Sequence, residues 1–383
     1  MNRHGKILTL SGAHLANDIS TGAVPAMLPF LVLNFGLSYT ETAFIMFGYG
    51  VISSIAQPAF GYLSDRWPAR GMIAAGVMLS SVGVGLMGYL PWYWAICGCA
   101  LLTGLGSAIF HPEGAKLANM FGAGGRKATT MSLFAIGGNA GYALGPLIVG
   151  ALIPLLGMPA TAAFPLMGVL AACLLARVLA AEPAPAPRAR PQGDNGLKND
   201  WKAFAVLSGV MFSRSVLMSG FHAFLAIYWM REFQCSASVG AAVLSAYGLM
   251  SVASNLLGGV LSDRSGYIRV LRLTQAAMLP AVLIFAWTEQ SWLALVMALV
   301  VAFSLYASFS PTVILGQTYL ASNIGFSAGV TLGLTQTIGS LSLPLMGWIA
   351  DTYGLRGAFL FMACVVVVGL ACSLFLKRTE YDR

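Results

Sequence analysis

The chain has 383 residues, of which 58% are hydrophobic and only 9% are charged, whereas a soluble domain carries about 25% charged residues. This composition excludes an ordinary soluble domain and predicts a polytopic membrane protein. The formal net charge is +8, but the basic residues lie in short loops between apolar segments rather than in one patch, which disfavours nucleic-acid binding.

The apolar segments predict membrane-spanning helices, because each approaches the roughly 20 residues that cross the hydrocarbon and none alternates with a period of two. Charges, Pro and Gly divide the chain into twelve spans. The first is expected to be a retained helix rather than a signal peptide, since Asp18 interrupts it. The predicted spans are 7–34, 40–64, 71–90, 92–119, 127–153, 159–181, 203–230, 237–262, 268–288, 291–320, 326–350 and 355–376.

The distribution of basic residues predicts the orientation of these spans. Cytoplasmic loops of membrane proteins are enriched in Lys and Arg. With both termini cytoplasmic, the loops on that side carry Arg66, Arg70, Arg126, Lys127, Arg188, Arg190, Arg264 and Arg269. The opposite loops carry only Arg231 and Arg356, so we expect both termini to be cytoplasmic.

The two halves of the chain repeat each other. Residues 53–66 (SSIAQPAFGYLSDR) share six positions with residues 251–264 (SVASNLLGGVLSDR), and each copy ends the second span of its half. Between the halves lies the polar, Pro-rich segment 182–200, which is expected to be an extended linker. We therefore predict two six-helix bundles, 1–181 and 201–383, in a parallel repeat typical of transporters.

The repeated G-x-L-S-D-R motif resembles that of the major facilitator superfamily. Other motifs resemble the fosmidomycin-resistance branch of that superfamily, namely His14–Asp18, Gln57-Pro58, Phe110–Glu113, Gly124–Arg126, Gly137–Asn139, Gly145-Pro146 and Trp348–Asp351. The resemblance implies an all-α membrane protein of twelve transmembrane helices in two six-helix halves. It also implies proton-driven efflux of small polar antibiotics or related metabolites across the cell (inner) membrane.

The same resemblance suggests gating elements. Asp65-Arg66 and Asp263-Arg264 would form charged latches that close the inner face. The stretch with Gly141, Gly145 and Pro146 resembles part of the antiporter motif, although the full glycine pattern is missing and ordinary tight packing is an equal alternative.

Ionisable side chains inside the apolar spans are the candidate proton-coupling residues. His14, Asn17 and Asp18 share one helix face because they are spaced i, i+3 and i+4. His111 and Glu113 flank Pro112 at a similar depth in the fourth span, so two imidazoles and two carboxylates could face one pocket. Asp18 and Glu113 are the predicted proton carriers, since acids at membrane depth are functional by default; the alternative is a neutral polar knot that joins two helices.

Arg214 is the candidate anion site, because its guanidinium fork suits a carboxylate, phosphate or phosphonate. An internal salt bridge to Asp18 or Glu113 is the alternative. Asn17, Asn139, His222 and Gln336 complete the predicted substrate-binding set. A metal site is disfavoured, because no HExxH motif or metal-spaced Cys pair occurs and the His and acid groups lie on different helices.

These features predict a proton-coupled antiporter that exports a small polar, anionic drug or metabolite by alternating access. A proton-coupled symporter that imports a small organic anion or nutrient would share them. An enzyme is disfavoured, since no nucleophile elbow, phosphate loop or metal motif is present. The expected partners are the substrate, protons and the lipid bilayer, with the proton gradient in place of a cofactor and the protein as a monomer.

Overall fold

The computed structural model is almost wholly α-helical, and no β-strand occurs among the residues that it describes. Those residues are 3–66, 71–122, 127–180, 198–323, 327, 330–331 and 335–377, without the side chains of 64–66, 127–129 and 335. The helices are α1 (Arg3–Phe35), α2 (Tyr39–Arg66), α3 (Met72–Met87), α4 (Tyr93–Phe121), α5 (Lys127–Leu156), α6 (Ala163–Ala180), α7 (Trp201–Glu232), α8 (Ala237–Ser265), α9 (Tyr267–Trp287), α10 (Ser291–Ala307), α11 (Phe309–Tyr319) and α12 (Thr335–Leu374), with a 3-10 helix at Met158–Ala162.

The helices confirm the membrane class. Ten segments of the described chain are helical, long and apolar enough to cross a bilayer, with α10 and α11 forming one of them. The 16-residue α3 is apolar but shorter. Gly354 interrupts α12 with a φ of 78°, a conformation that glycine adopts without steric cost, so this element contains two helical parts. Residues 324–326 lie outside the description, and the number twelve therefore stays a prediction.

The chain divides into two compact units. Unit 1 contains Met1–Leu37, Phe44–Arg190 and Ser236–Ser245. Unit 2 contains Ser38–Ala43, Pro191–Cys235 and Ala246–Arg383. The main division falls inside the predicted linker 182–200.

In unit 1, α1 packs against α3, α4, α5 and α6. Its contact with α5 is the closest, because Gly137, Gly141 and Gly145 lie at four-residue intervals on the facing side of α5. A Cβ atom at any of these three positions would overlap a backbone carbonyl of α1. The overlapped carbonyls are those of Ser11, Leu15 and Ile19. Small residues allow membrane helices to approach this closely.

In unit 2, the deeply buried α7 packs against α11 and α12, and α9 packs against α10, α11 and α12.

The first turn of α2 also belongs to unit 2, and Asp351 of α12 binds it. Its carboxylate accepts hydrogen bonds from the backbone N–H groups of Tyr39 (2.8 Å) and Thr40 (2.9 Å), and from the Thr40 hydroxyl. A carboxylate at a helix N-terminus satisfies free N–H groups and complements the helix dipole.

Asp200 begins α7 and ties it to the C-terminal end of the described chain. Its carboxylate accepts from the backbone N–H of Ala203 at 3.0 Å and from Lys377 Nζ at 2.6 Å. The hydrogen bond from Lys377 is the main reason why the pKa of Asp200 lies below its ordinary value.

Candidate functional site

The structure brings His14, Asp18 and His111 together inside unit 1, and we call these three residues the Asp18 cluster. His14 Nε2 lies 3.3 Å from Asp18 Oδ2, and His111 Nε2 lies 3.6 Å from Asp18 Oδ1. His14 and Asp18 are one turn apart on α1, whereas His111 comes from α4. The two imidazole rings meet edge to face, with their centroids 5.2 Å apart.

The outer nitrogen of each imidazole is held by a backbone carbonyl. His14 Nδ1 lies 2.7 Å from the carbonyl oxygen of Phe134 on α5, and His111 Nδ1 lies 2.8 Å from that of Ser107. A carbonyl oxygen only accepts hydrogen bonds, so each Nδ1 carries a hydrogen and donates it. These partners assign the tautomers: in a neutral imidazole the Nε2 atom is then an acceptor.

When both imidazoles are neutral, this assignment leaves no donor hydrogen between them and the carboxylate. Two acceptor Nε2 atoms face a carboxylate, which also only accepts. The Nε2 atom of His14 is buried and makes no hydrogen bond with any described residue. One added proton, on an Nε2 atom or on Asp18, would turn the contact between like groups into a hydrogen bond. The proton-coupling role predicted for these three residues stays a prediction.

Asn17 is hydrogen-bonded to the carboxylate of Asp18. It is fully buried, and its Nδ2 donates to Asp18 Oδ1 at 2.8 Å. Its own oxygen accepts from Ser80 Oγ of α3, also at 2.8 Å. The amide thus joins two helices, and the predicted role of Asn17 in substrate binding stays a prediction.

The cluster is shielded but not sealed. The side chains of His14 and Asp18 are 8% and 12% exposed, whereas that of His111 is 31% exposed. His111 is therefore the most exposed member of the cluster. All three side chains are less than one third exposed.

Glu113 lies outside the Asp18 cluster, so the structure brings together three of the four groups that the sequence placed in one pocket. Residues two apart on a helix point about 200° apart, and Glu113 therefore faces away from the side of α4 that carries His111. It is buried, and its Oε1 atom has no hydrogen-bond partner in the part of the chain that the structure describes. Its predicted role as a proton carrier stays a prediction.

Sequence reasoning missed Gly138, which presses α5 onto the cluster. A Cβ there would lie 2.8 Å from Asp18 Oδ2 and still closer to the imidazole of His14. The ring of Phe134 also stacks on His14 with centroids 4.0 Å apart. The paired glycines at 137 and 138 were the available signal. The contact of Phe134 left no signal, because it uses a backbone carbonyl and an apolar ring.

The same three residues could hold a metal ion. One ligand atom from each of His14, Asp18 and His111 lies within 4.8 Å of the other two. Their position on two different helices, which counted against a metal site in the sequence, does not keep them apart in the folded chain. The set combines imidazole and carboxylate ligands, which suit divalent transition metals.

Unit 2 holds Arg214 among aromatic groups. The side chain is buried, its Nε donates to the carbonyl oxygen of Leu305 at 2.8 Å, and its guanidinium carbon lies 5.2 Å from the ring centroid of Phe309. No carboxylate of the described part of unit 2 forms an ion pair with it. Among the described residues, its only hydrogen bond is the one from Nε.

His222 lies in the same region of unit 2. Its Nε2 is 3.2 Å from the hydroxyl of Tyr306, which follows Leu305, and its ring meets Tyr247 edge to face. The Tyr247 hydroxyl is buried without a hydrogen-bond partner among the described residues. These tyrosines were not predicted, since aromatic residues in apolar spans resemble ordinary core. Gln336 is half-buried on α12, and Asn139 is exposed on α5 in unit 1.

Only some of the predicted gating side chains lie within the described part of the chain. Asp263 and Arg264 are exposed in the last turn of α8, where Asp263 accepts from the Tyr267 hydroxyl at 3.0 Å. The side chains of Asp65 and Arg66 lie outside the description. Gly141 and Gly145 pack on α1, as described above, and Pro146 is buried in α5. Close packing accounts for both glycines, and their gating role stays a prediction.

Comparisons with known proteins place this geometry in context. The sequence profile of the Major Facilitator Superfamily matches residues 10–342 and 207–383. The chain is 27% identical to the fosmidomycin resistance protein of Escherichia coli (strain K12), over 98% of this chain and 94% of that protein. It is 29% identical to the MFS-type transporter YfnC of Bacillus subtilis (strain 168), over 96% and 92% of the two chains.

Solved structures show the same fold. A bacterial homolog of the human lysosomal transporter Spinster, in an inward-facing and occupied conformation, gives a TM-score of 0.83 at 17% identity, covering 97% of this chain and 96% of that one. The nucleoside transporter NupG gives a TM-score of 0.74 at 14% identity, covering 99% of this chain and 100% of that one.

Proposed function

Since the chain belongs to the Major Facilitator Superfamily and is a multi-pass membrane transporter rather than an enzyme, we propose that it is a proton-coupled antiporter. It exports a small polar, anionic drug or metabolite by alternating access. It acts in the bacterial inner membrane with both termini cytoplasmic.

The observation that carries the proposal is the Asp18 cluster. Two imidazoles whose Nδ1 atoms are engaged by carbonyls present acceptor Nε2 atoms to one carboxylate. An added proton allows a hydrogen bond between an imidazole and the carboxylate, and loss of that proton removes it. The protonation state of the cluster therefore changes the packing energy between α1, α4 and α5. A carrier that exchanges protons for a solute needs such an element.

Arg214 supports an anionic cargo. A buried guanidinium is stabilised by a negative partner, and within unit 2 the described contacts of Arg214 are one carbonyl and one aromatic ring. A planar carboxylate or a phosphate-like group would satisfy the remaining N–H donors in a bidentate manner. His222 and Tyr306 would add neutral hydrogen-bonding groups nearby.

The energetics favour export by exchange. One elementary charge that crosses 100 mV corresponds to about 2.3 kcal/mol. Exchange of an entering proton for a departing monoanion moves two charges, or about 4.6 kcal/mol. At about 1.4 kcal/mol per tenfold ratio, this sustains a concentration gradient of roughly three decades.

The relative from E. coli supplies a probe, because its name links it to resistance to fosmidomycin. Expression of the wild-type chain in an efflux-deficient bacterial host should raise tolerance to fosmidomycin, and Asp18→Asn should abolish this gain with normal membrane insertion. Glu289→Gln is the matched acid-to-amide control, since Glu289 is exposed in the loop between α9 and α10. Tolerance that is equal in Asp18→Asn and wild type would contradict the proposal.

Direction is tested separately in membrane vesicles. Inverted vesicles with an imposed pH gradient, acid inside, should accumulate fosmidomycin if the protein is an antiporter. A symporter would instead release preloaded drug when protons leave the vesicle. If Asp18→Asn abolishes drug movement but wild-type vesicles release the drug instead of accumulating it, proton coupling is retained and export is overturned.

A further inference from the structure

An apolar groove of about 710 Å³ lies in unit 2 between α8, α9 and α10, and Arg214 is not among its lining residues. It opens outward, since Leu261, Leu273 and Val296 on its walls are 43%, 59% and 44% exposed. Three hydroxyl residues lie on its walls, Ser265, Thr274 and Ser304, and the first two donate to carbonyls of their own helices. The groove thus offers a hydrocarbon-lined slot whose volume is typical of ligand sites.

Two arginines extend the walls of this groove at one end. Arg264 follows Leu261 by three residues on α8, and Arg269 precedes Leu273 by four on α9, so each arginine shares a helix face with a wall residue. Both are exposed, and neither has a hydrogen-bond or ion-pair partner among the described residues.

The neighbouring charges leave this end of the groove positive. Asp263 is the only acid in residues 261–277, and its Oδ1 accepts from the Tyr267 hydroxyl. Arg272 adds a third positive charge, because its guanidinium is bonded only to the neutral carbonyl oxygens of Ser373 and Leu374 among the described residues. Three arginines against one aspartate favour an anionic partner.

The length of the groove matches one leaflet of a bilayer. Along α9 its walls run from Val270 to Ala277, seven residues or about 10 Å of helix, and along α10 from Val296 to Ala307, eleven residues or about 16 Å. Half the hydrocarbon thickness of a bilayer is about 15 Å. A molecule with its charged group at the arginines would therefore place its apolar part from the interface almost to the midplane.

We propose that this groove binds one anionic phospholipid, with an acyl chain along α8, α9 and α10 and the phosphate at Arg264 and Arg269. Guanidinium groups bind phosphate through paired charge-assisted hydrogen bonds. Basic pockets between transmembrane helices are suited to anionic head groups. The site does not depend on the proposed transport function.

The test measures lipid retained by the full-length protein in detergent. Native mass spectrometry would compare phosphatidylglycerol with phosphatidylcholine of the same acyl chains. Wild-type protein should retain phosphatidylglycerol preferentially, and Arg269→Gln should weaken that preference about fivefold, as expected for one arginine near a lipid surface. Ala277→Trp fills the groove and should remove both lipids. Arg231→Gln, exposed at the end of α7, is the matched control and should change neither.

A second measurement needs no variant. Phosphatidylglycerol with a photoreactive group in its acyl chain should crosslink wild-type protein within α8, α9 and α10. Equal retention of the two lipids, unchanged retention in both Arg269→Gln and Ala277→Trp, or labelling confined to other helices would overturn the proposal. Displacement of the lipid by fosmidomycin would also overturn it, because the groove would then be a cargo site.

Discussion

Gly138→Ala tests the close contact between α5 and the Asp18 cluster. The Cβ of alanine would lie 2.8 Å from Asp18 Oδ2 and closer to the His14 ring, and real Cβ atoms essentially never approach a heavy atom to less than 3.0 Å. The ring or α5 itself must therefore move. Movement of His14 would lengthen its 2.7 Å hydrogen bond to the carbonyl oxygen of Phe134.

Two opposing effects set the size of the change. Overpacking a filled site costs about 1–3 kcal/mol, whereas replacement of glycine by alanine inside a helix gains about 1 kcal/mol. We expect Gly138→Ala to lower the free energy of unfolding by up to about 2 kcal/mol. Gly12→Ala on α1 is the matched control, because a Cβ at Gly12 meets no atom within 4 Å.

The assay is unfolding of the purified protein in mixed micelles, followed by tryptophan fluorescence. The difference between the two alanine variants removes the helix-propensity gain, which is the same in both, and leaves the overlap of about 1–3 kcal/mol. If Gly138→Ala is as stable as Gly12→Ala, the close packing of α5 on His14 and Asp18 is refuted.

Three further substitutions test single contacts. Ser80→Ala should cost about 1 kcal/mol of unfolding free energy, because the buried oxygen of Asn17 loses its donor; an unchanged value would contradict the contact. Asp351→Ala should cost about 1 kcal/mol by uncapping α2, again measured by unfolding. Asp200→Asn should lower the unfolding temperature at pH 7. Because Lys377 depresses the pKa of Asp200, this stabilisation is present above the ordinary pKa of 3.8 and is lost as the pH falls through the folded-state pKa. The unfolding temperatures of the two proteins should therefore become equal in acid. A difference that stays constant with pH would refute the pairing.

Spacing along one helix was enough to predict part of the site. His14 and Asp18 lie one turn apart, and α1 indeed presents both to the same region. The span boundaries were also readable, because charges and glycines end the helices: the span predicted at 268–288 is α9, Tyr267–Trp287. These features depend on local sequence alone.

Contacts between helices could not be predicted from the sequence in the same way. The carbonyl of Phe134 fixes the tautomer of His14, yet every residue has a carbonyl, and only the packing of α5 selects this one. Glu113 was grouped with His111 from depth alone, although two residues along a helix place it on another side. The break at Gly354 in α12, by contrast, lies between the spans predicted at 326–350 and 355–376.

The most direct test of the account measures proton movement by the purified protein in liposomes that contain a pH-sensitive dye. An imposed fosmidomycin gradient should drive protons in the opposite direction through wild-type protein and through Glu289→Gln. It should drive none through Asp18→Asn, because the neutral amide offers its own N–H groups to the acceptor Nε2 atoms and removes the charge that favours an added proton. Proton flux through Asp18→Asn at the wild-type rate would contradict the central claim that this cluster couples transport to protons.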